Sequence, residues 1–280
     1  MAHPQIAAFA RLAKENSTPT RTLAGQKTRL SRTMHDIRYD AVHDEIVVAN
    51  PFAQAILIFR GGASGEEAPI RTIQGPNTQL AGSTRQGGVE RLEIDPIHNE
   101  IFVPAGDKVL VYPLTGNGDV PPIRIIQGPD TKLNRVRSAA VDPVHNRIAL
   151  GTNTNYDGDL GALLVFERAA NGNARPLGVI MGPKAGIISI TQMQVYPPKG
   201  WIVATMPGWS YDETEPENFF IGVWSINDNG DVPPRWKLGG SSTSVMKKPR
   251  GVALNPTHKE LIVADMRLNA LLTFYFPEIF

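Results

Sequence analysis

The sequence predicts an all-β protein, a β-propeller of four-stranded blades. Two recurring segments and the abundance of turn-forming residues support this prediction. The phrase PIRTIQGPNTQL at 69–80 returns as PIRIIQGPDTKL at 122–133, and an apolar two-strand element recurs between the copies. With 26 glycines and 23 prolines in 280 residues, frequent turns are expected, which suits many short strands.

The repeated phrase is predicted to form the outer strand of each blade and its exit loop. Weaker copies begin at Pro19, Pro176 and Pro234, so that successive copies start about 50 to 58 residues apart, a period typical of propellers. A proline at the start of an outer strand removes a donor where no neighbour needs one. An aromatic residue precedes each phrase by ten positions: Phe9, Phe59, Tyr112, Phe166 and Trp224.

The second recurring element predicts the first and second strands of each blade. It is IRYDAVHDEIVVAN at 37–50, LEIDPIHNEIFVPA at 92–105, AAVDPVHNRIALGT at 139–152 and VALNPTHKELIVAD at 252–265, with the looser MQVYPPKGWIVATM at 193–206. Its first part alternates between apolar and polar residues, whereas its second part is a continuous apolar run, as in a strand covered on both faces. Radial packing of such units buries both faces of each sheet.

The segment VALNPTHKELIVADMRLNALLTF (252–274) resembles the NHL repeat, and the resemblance covers most of residues 19–276. NHL propellers usually close with six blades, whereas we count five sets of first, second and third strands. We therefore predict five blades, with six as the alternative. The strand at 19–24 is expected to complete the last blade and close the ring, so that 19–280 is one propeller domain and 1–18 an extension. Residues 5–10 suggest a surplus third strand or a short helix.

Composition excludes several classes of function. The net charge is +1, from 28 basic and 27 acidic residues, which argues against nucleic acid or an anionic membrane as a partner. The absence of cysteine excludes disulfides, thiolate metal sites and a cysteine nucleophile. We recognise no secretory signal and no apolar run of the ~20 residues that a membrane-spanning helix needs. We expect a monomer, in either the cytoplasm or the periplasm and extracellular space.

Residues that recur in every blade are predicted to be architectural. Four of the six histidines lie in an Asp/Asn-x-x-His turn between the first and second strands: His43, His98, His145 and His258. Asp or Asn can hold such a turn through side-chain-to-backbone hydrogen bonds, so these histidines are expected to stabilise turns rather than bind metal. Asp119 and Asp231, in the repeated outer turn NGDVPP, are predicted to be structural for the same reason.

Candidate binding residues come from the first strands. If Ile37 and Tyr39, with their equivalents in the other blades, pack inward, the alternate positions line the central channel; the two faces could also be reversed. The candidates at or near the channel are Asp36, Arg38, Arg91, Glu93, Arg137, Gln192, Gln194 and Arg250. They predict either cross-blade ion pairs, Asp36 with Arg91 and Arg38 with Glu93, or a polar binding site at the channel mouth.

Blade four carries an insertion that the other blades lack, MPGWSYDETEPENFF between Thr205 and Ile221. Trp209 and Tyr211 lie within it beside several acidic residues. Aromatic residues next to charge suit a contact surface, because their rigid area binds at small entropic cost. The alternative is an acidic loop folded over its own blade.

No catalytic signature of the common enzyme classes is present, and we expect no cofactor; calcium at Asp157 and Asp159 is the one alternative. The preferred function is therefore a non-catalytic scaffold that recognises protein, peptide or glycan through one rim and the channel mouth. The family resemblance also implies an alternative, a metal-assisted lactonase-like or lyase-like enzyme that uses the carboxylates near the channel. A truncated or engineered repeat array without a ligand is the third hypothesis.

Overall fold

The computed structural model describes residues 4–32, 36–81, 89–152, 161–208, 219–241 and 244–280. Their regular structure consists of antiparallel strands and short 3-10 turns. Of the predicted candidates, Trp209 and Tyr211 lie outside the described residues, as do Asp157 and Asp159. Within the described ranges, no helix has the length and apolar character needed to cross a membrane.

The described strands have the following bounds: β1 Gln5–Ala8, β2 Arg21–Ala24, β3 Asp36–Asp40, β4 Glu45–Asn50, β5 Ala55–Arg60, β6 Arg71–Ile73, β7 Glu93–Asp95, β8 Glu100–Pro104, β9 Lys108–Pro113, β10 Arg124–Gln127, β11 Val136–Asp142, β12 Arg147–Thr152, β13 Leu163–Glu167, β14 Gly178–Ile180, β15 Met193–Tyr196, β16 Trp201–Pro207, β17 Phe219–Ser225, β18 Trp236–Gly239, β19 Pro249–Asn255, β20 Glu260–Asp265 and β21 Ala270–Tyr275.

These strands form the blades of a five-bladed β-propeller, which confirms the predicted fold class. Four sheets contain four strands in chain order, β3–β6, β7–β10, β11–β14 and β15–β18. The last sheet contains β19, β20 and β21, and β1 pairs with β2 in a two-stranded sheet. Each repeat of the sequence therefore corresponds to one sheet, as the spacing of the repeated phrase predicts.

The N-terminal strand differs from the prediction in its sheet partner. Residues 19–24 were expected to join the last blade, but β2 lies in the sheet with β1. The reason is that β1 pairs with β2 in the same register in which the third and fourth strands of a blade pair with each other. In the first blade Ile56 pairs with Ile73 and Ile58 with Arg71, and in the N-terminal sheet Ile6 pairs with Leu23 and Ala8 with Arg21. Thus β1 and β2 repeat the third and fourth strands of a blade, residue for residue.

The chain divides into two compact units, residues 1–105 with 110–123 and residues 106–109 with 124–280. In the first unit, apolar residues of β2, β4 and β5 form a buried core that includes Leu23, Val48 and Phe59. A glycine in the loop of the next repeat forms a parallel β-bridge with the backbone of each outer strand. Gly65 bridges to Leu23 and Gly118 bridges to Ile73, with backbone hydrogen bonds of 2.7–3.1 Å on both sides of each bridge.

The second unit uses the same construction. Gly172 bridges to Ile126 of β10, and Gly230 bridges to Ile180 of β14. One buried cluster joins β12, β13, β16 and β17 and includes Trp224. A second cluster joins β16 and β17 to the last sheet. Successive blades are therefore held by apolar faces and by a short parallel contact at the outer edge.

Candidate functional site

The turns between the first and second strands are fixed by buried aspartates. Asp95 accepts hydrogen bonds from the backbone N–H groups of Ile97 and His98, both at 3.1 Å, and its other oxygen lies 2.7 Å from His98 Nδ1. The same three contacts recur at Asp40 with His43 and at Asp142 with His145. The predicted turn-stabilising role of these three histidines is confirmed. In the last blade, Asn255 instead donates to Glu260 at 2.9 Å.

Three predicted site residues meet in a buried ionic cluster of the first unit, composed of Asp36, Arg38 and Glu93. Arg38 donates from Nη1 to Asp36 Oδ1 at 2.5 Å and from Nε to Glu93 Oε1 at 3.1 Å. Both carboxylates also accept backbone hydrogen bonds: Asp36 from Leu92 at 3.3 Å and Glu93 from Ile94 at 2.9 Å. The predicted pairing of Arg38 with Glu93 is confirmed, and the cluster ties β3 to β7.

Burial and charge act in opposite directions on this cluster. Burial by itself lowers the pKa of the Arg38 guanidinium, but the carboxylates, Asp36 first and Glu93 second, outweigh it and the net pKa is raised. For Glu93, burial is the larger cause and raises the pKa of its carboxyl group above the ordinary value, against the opposing charge of Arg38. One buried guanidinium is thus shared between two buried carboxyl groups.

The second unit places Gln192 in a comparable contact between neighbouring first strands. Its Oε1 accepts the backbone N–H of Val252 at 2.6 Å, just as Asp36 accepts that of Leu92. Its own backbone N–H donates to Thr205 Oγ1 at 3.1 Å, and Thr205 lies 2.9 Å from the hydroxyl of Thr191. This predicted binding residue thus has a structural contact at its side-chain oxygen.

The remaining described candidates, Arg91, Arg137, Gln194 and Arg250, are half-buried. Their role as ligand contacts stays a prediction.

One expectation about the first strand is wrong. Ile37 and Tyr39 were predicted to pack inward, but they are 44% and 60% exposed, while Asp36 and Arg38 are buried. In the next blade the equivalent residues, Leu92 and Ile94, are only 0% and 5% exposed. Alternation identifies the two faces of a strand correctly, but coverage by the neighbouring structure decides which face is buried.

Sequence analysis did not identify a set of buried polar residues at the ends of second strands. Asn50 accepts the backbone N–H of Ser31 at 3.1 Å and donates to the carbonyl of Arg29 at 2.9 Å. Asp265 accepts the N–H groups of Lys247 and Lys248 at 2.7 and 2.9 Å. The only available signal was the polar residue that ends the apolar runs IVVAN and LIVAD. Both residues fix the loop that leads into the first strand of their own sheet.

A shallow groove of about 380 Å³ runs along β6 in the first unit. Its cationic side chains are already engaged. Arg29 donates to Gln74 at 2.7 Å, and Arg71 forms a two-pronged pair with Glu45 at 2.6 and 2.8 Å. The groove therefore offers no pair of uncommitted arginines for an anion.

The fold and these contacts define a β-propeller protein, and comparison with known proteins places it no more finely. No family profile matches the chain, so the resemblance to the NHL family is not confirmed, and no curated protein matches it. Among solved structures, it is similar to a chain in "Crystal Structure of Mitotic Checkpoint Complex", with a TM-score of 0.56 and 14% identity over 91% of this chain. The alignment spans 64% of that chain. At this identity the likeness shows the fold alone.

Proposed function

We propose that this chain is a non-catalytic recognition scaffold whose ligand is a protein or peptide. The observation that carries the proposal is the uncovered face of β3. Ile37 and Tyr39 stand at alternate positions of β3 and so lie on the same face of that strand, and the turn residue Val42, which follows β3, is 65% exposed. Contiguous exposed apolar residues on a rigid scaffold mark interaction sites, and propellers present such surfaces without conformational rearrangement.

The geometry of Tyr39 supports this role. Its hydroxyl donates to Asp44 Oδ1 at 2.8 Å, which fixes the ring against the turn while leaving its face exposed. A pre-ordered aromatic side chain loses little entropy on binding and supplies a large contact area. We call Ile37, Tyr39 and Val42 the β3 surface.

The acidic candidates support a structural rather than a catalytic use. Asp36 and Glu93 both bond to Arg38 and to backbone N–H groups, Asp36 through both oxygens and Glu93 through Oε1, so these contacts hold two strands together. One structural neighbour is a chain in "Crystal Structure of Mitotic Checkpoint Complex", which agrees with assembly through a propeller surface. The insertion with Trp209 and Tyr211 is proposed as the second contact region.

Site-specific photo-crosslinking tests the proposal. A photoreactive amino acid replaces Tyr39 or Trp209 in cells of the source organism, and Lys27, an exposed polar position of the first unit, serves as the control. We expect one defined protein product from Tyr39 or Trp209 that Lys27 does not give. The product, identified by mass spectrometry and purified, should bind the wild-type chain in calorimetry.

Two variants then locate the contact. Tyr39→Ala and deletion of residues 208–218 should each weaken binding of the purified partner while leaving the thermal unfolding midpoint nearly unchanged. Equal labelling from all three positions, or full binding by both variants, would reject the proposal. A crosslinked glycan in place of a protein would change the ligand class.

A further inference from the structure

Within the part of the chain that the structure describes, the last blade has three strands, without the outer strand that completes the other four sheets. Its sheet contains β19, β20 and β21, and within the described residues β21 is its edge strand. β21 has the position of a third strand, because Phe274 opposite Leu261 corresponds to Phe59 opposite Ile46 in the first blade. In the four-stranded blades, the outer strand, which carries the Pro-x-Arg-x-Ile phrase or a weaker copy of it, pairs with the edge of the third strand.

The other blades show the hydrogen bond that such an outer strand makes. In each, the residue after the phrase proline donates its backbone N–H to a third-strand carbonyl at 2.7–2.8 Å. The four bonds are Ile70 to Ile58, Ile123 to Val111, Leu177 to Val165 and Arg235 to Val223. Each acceptor directly precedes the blade aromatic, so Thr273 is the equivalent acceptor in the last blade.

The side chains of β21 also lack the cover that an outer strand provides elsewhere. Leu271 is 63% exposed, whereas its equivalents Ile56, Leu163 and Ile221 are 1% exposed or less. Ile56 lies opposite Ile73, and Leu163 lies opposite Ile180, both buried aliphatic residues of outer strands. Leu271 is therefore an apolar residue at a position that has an aliphatic cross-strand neighbour in other blades.

We propose that the edge of β21 binds an extended segment of a partner protein that adds to the sheet as its fourth strand. The segment is antiparallel to β21, has a proline at its first position, donates its second backbone N–H to the Thr273 carbonyl, and places an aliphatic side chain at its fifth position beside Leu271. Strand addition to an open sheet edge is an established mode of peptide recognition, and an unprotected apolar edge invites it. The inference rests on the proposed function as a protein-recognition scaffold.

The chain itself supplies the probe. A fluorescent peptide with the sequence of residues 122–127, PIRIIQ, carries the required pattern and is titrated into the full-length protein by fluorescence anisotropy. We expect saturable one-to-one binding. The same peptide N-methylated at its second residue loses the donor to Thr273 and should bind at least about tenfold more weakly.

Matched variants of the protein locate the contact. Leu271→Lys should weaken peptide binding about tenfold, because Leu271 is exposed and the substitution leaves the unbound fold intact. Met181→Lys changes a similarly exposed apolar residue of the same unit and should leave binding unchanged. Thermal unfolding of both variants verifies folding, and exchange protection of the Leu272 and Thr273 region on peptide addition provides a second readout.

Absence of saturable binding to folded protein, or equal binding of the methylated peptide, would overturn the inference. Equal weakening by Leu271→Lys and Met181→Lys would overturn it as well. These outcomes are separate from failure of the proposed function: a partner crosslinked at Tyr39 whose binding is indifferent to Leu271→Lys keeps the scaffold function and removes only the strand-addition site.

Discussion

Arg38 donates from Nε to Glu93 at 3.1 Å and thereby joins the first strands of two neighbouring repeats through a buried ion pair. Both side chains are less than 10% exposed. The same guanidinium holds Asp36 at 2.5 Å, so its removal would leave two carboxylates close together and out of water. The cluster is thus a sensitive point for the stability of the first unit.

Arg38→Met should destabilise the protein by about 3–5 kcal/mol, because it leaves uncompensated buried charge. The measurement is the free energy of unfolding from urea titration. Arg60→Met is the matched control: Arg60 bonds Glu67 at 2.7 Å, but its side chain is 60% exposed, and such surface pairs contribute about 0–1 kcal/mol. A cost for Arg38→Met no larger than that for Arg60→Met would contradict the buried-charge argument.

Glu93 predicts a pH dependence of stability with a definite sign. Burial raises the pKa of its carboxyl group in the folded protein, so the protonated folded form is favoured. Its contribution is complete below the ordinary carboxyl pKa of about 4.3 and is lost as the pH rises through the raised value. Relative to Glu93→Gln, which mimics the protonated acid, the wild type should lose unfolding free energy as the pH rises from about 4.3 through the raised pKa. A relative gain over this range would show that the charge of Arg38 dominates.

The turns within each repeat were predictable because the residues that form their hydrogen bonds are close together in the sequence and recur with the repeat. In the Asp-x-x-His turn, the aspartate accepts the backbone N–H groups of the second and third residues that follow it. The same two hydrogen bonds form at Asp40 and at Asp142. The predicted structural role of Asp119 is confirmed by its bonds to the N–H groups of Asn77 and Thr78. That of Asp231 is confirmed by its bonds to Lys184 and Ala185.

Relations between repeats were less predictable. The exposure of Ile37 and Tyr39 depends on the structure that covers β3, which alternation along the strand does not encode. Likewise, residues 19–24 carry the sequence of an outer strand, but that sequence suits any third strand, and in the structure it pairs with β1. The ion pair between Arg38 and Glu93 was predictable because both residues occupy the same position in adjacent repeats.

The aspartate of the first-to-second-strand turn should contribute more to stability than its histidine. Asp95→Ala removes the acceptor of two partly buried backbone N–H groups and of the His98 ring, and should cost about 2–3 kcal/mol. His98→Ala removes one contact from a partly exposed side chain and should cost about 1 kcal/mol or less. Thermal unfolding of each variant measures the difference.

His258→Ala is the control for this turn, because the last blade closes its turn with Asn255 and Glu260 instead. Its effect should remain within about 0.5 kcal/mol. A larger loss from His98→Ala than from Asp95→Ala would mean that the imidazole, and not the carboxylate, organises the turn.

Divalent cations test the enzymatic alternative directly. A site-bound ion stabilises the folded state by RT ln(1 + [L]/Kd), so a metal at Asp36 or Glu93 would raise the unfolding temperature in a concentration-dependent way. Because the Arg38 guanidinium already bonds one oxygen of each carboxylate, we expect no shift with calcium, zinc or manganese at millimolar concentration. A shift that Glu93→Gln abolishes would instead support a metal centre.

The exit loop of the first blade predicts a strong glycine requirement at position 75. Gly75 has a φ of +139°, and a β-carbon there would lie 2.4 Å from the Asp119 carboxylate. Gly75→Ala should therefore cost about 2–4 kcal/mol, from backbone strain and from loss of the Asp119 hydrogen bonds to the loop. Gly62→Ala is the control, because the nearest atom to its added β-carbon is Arg21 Nη1 at 4.0 Å, and it should be neutral or slightly stabilising.

A double variant separates the two causes of the loss at Gly75. In an Asp119→Gly background, which also removes the β-carbon of residue 119 that would lie 2.6 Å from the added β-carbon, the clash with the Asp119 side chain is absent, so Gly75→Ala should cost mainly the strain of its backbone conformation, about 1–3 kcal/mol. The coupling between the two positions, measured as the departure from additivity in urea unfolding, reports the close approach of the two repeats at the outer edge. Full additivity would show that the Asp119 loop withdraws at no cost, and the outer contact would then not hold neighbouring blades together.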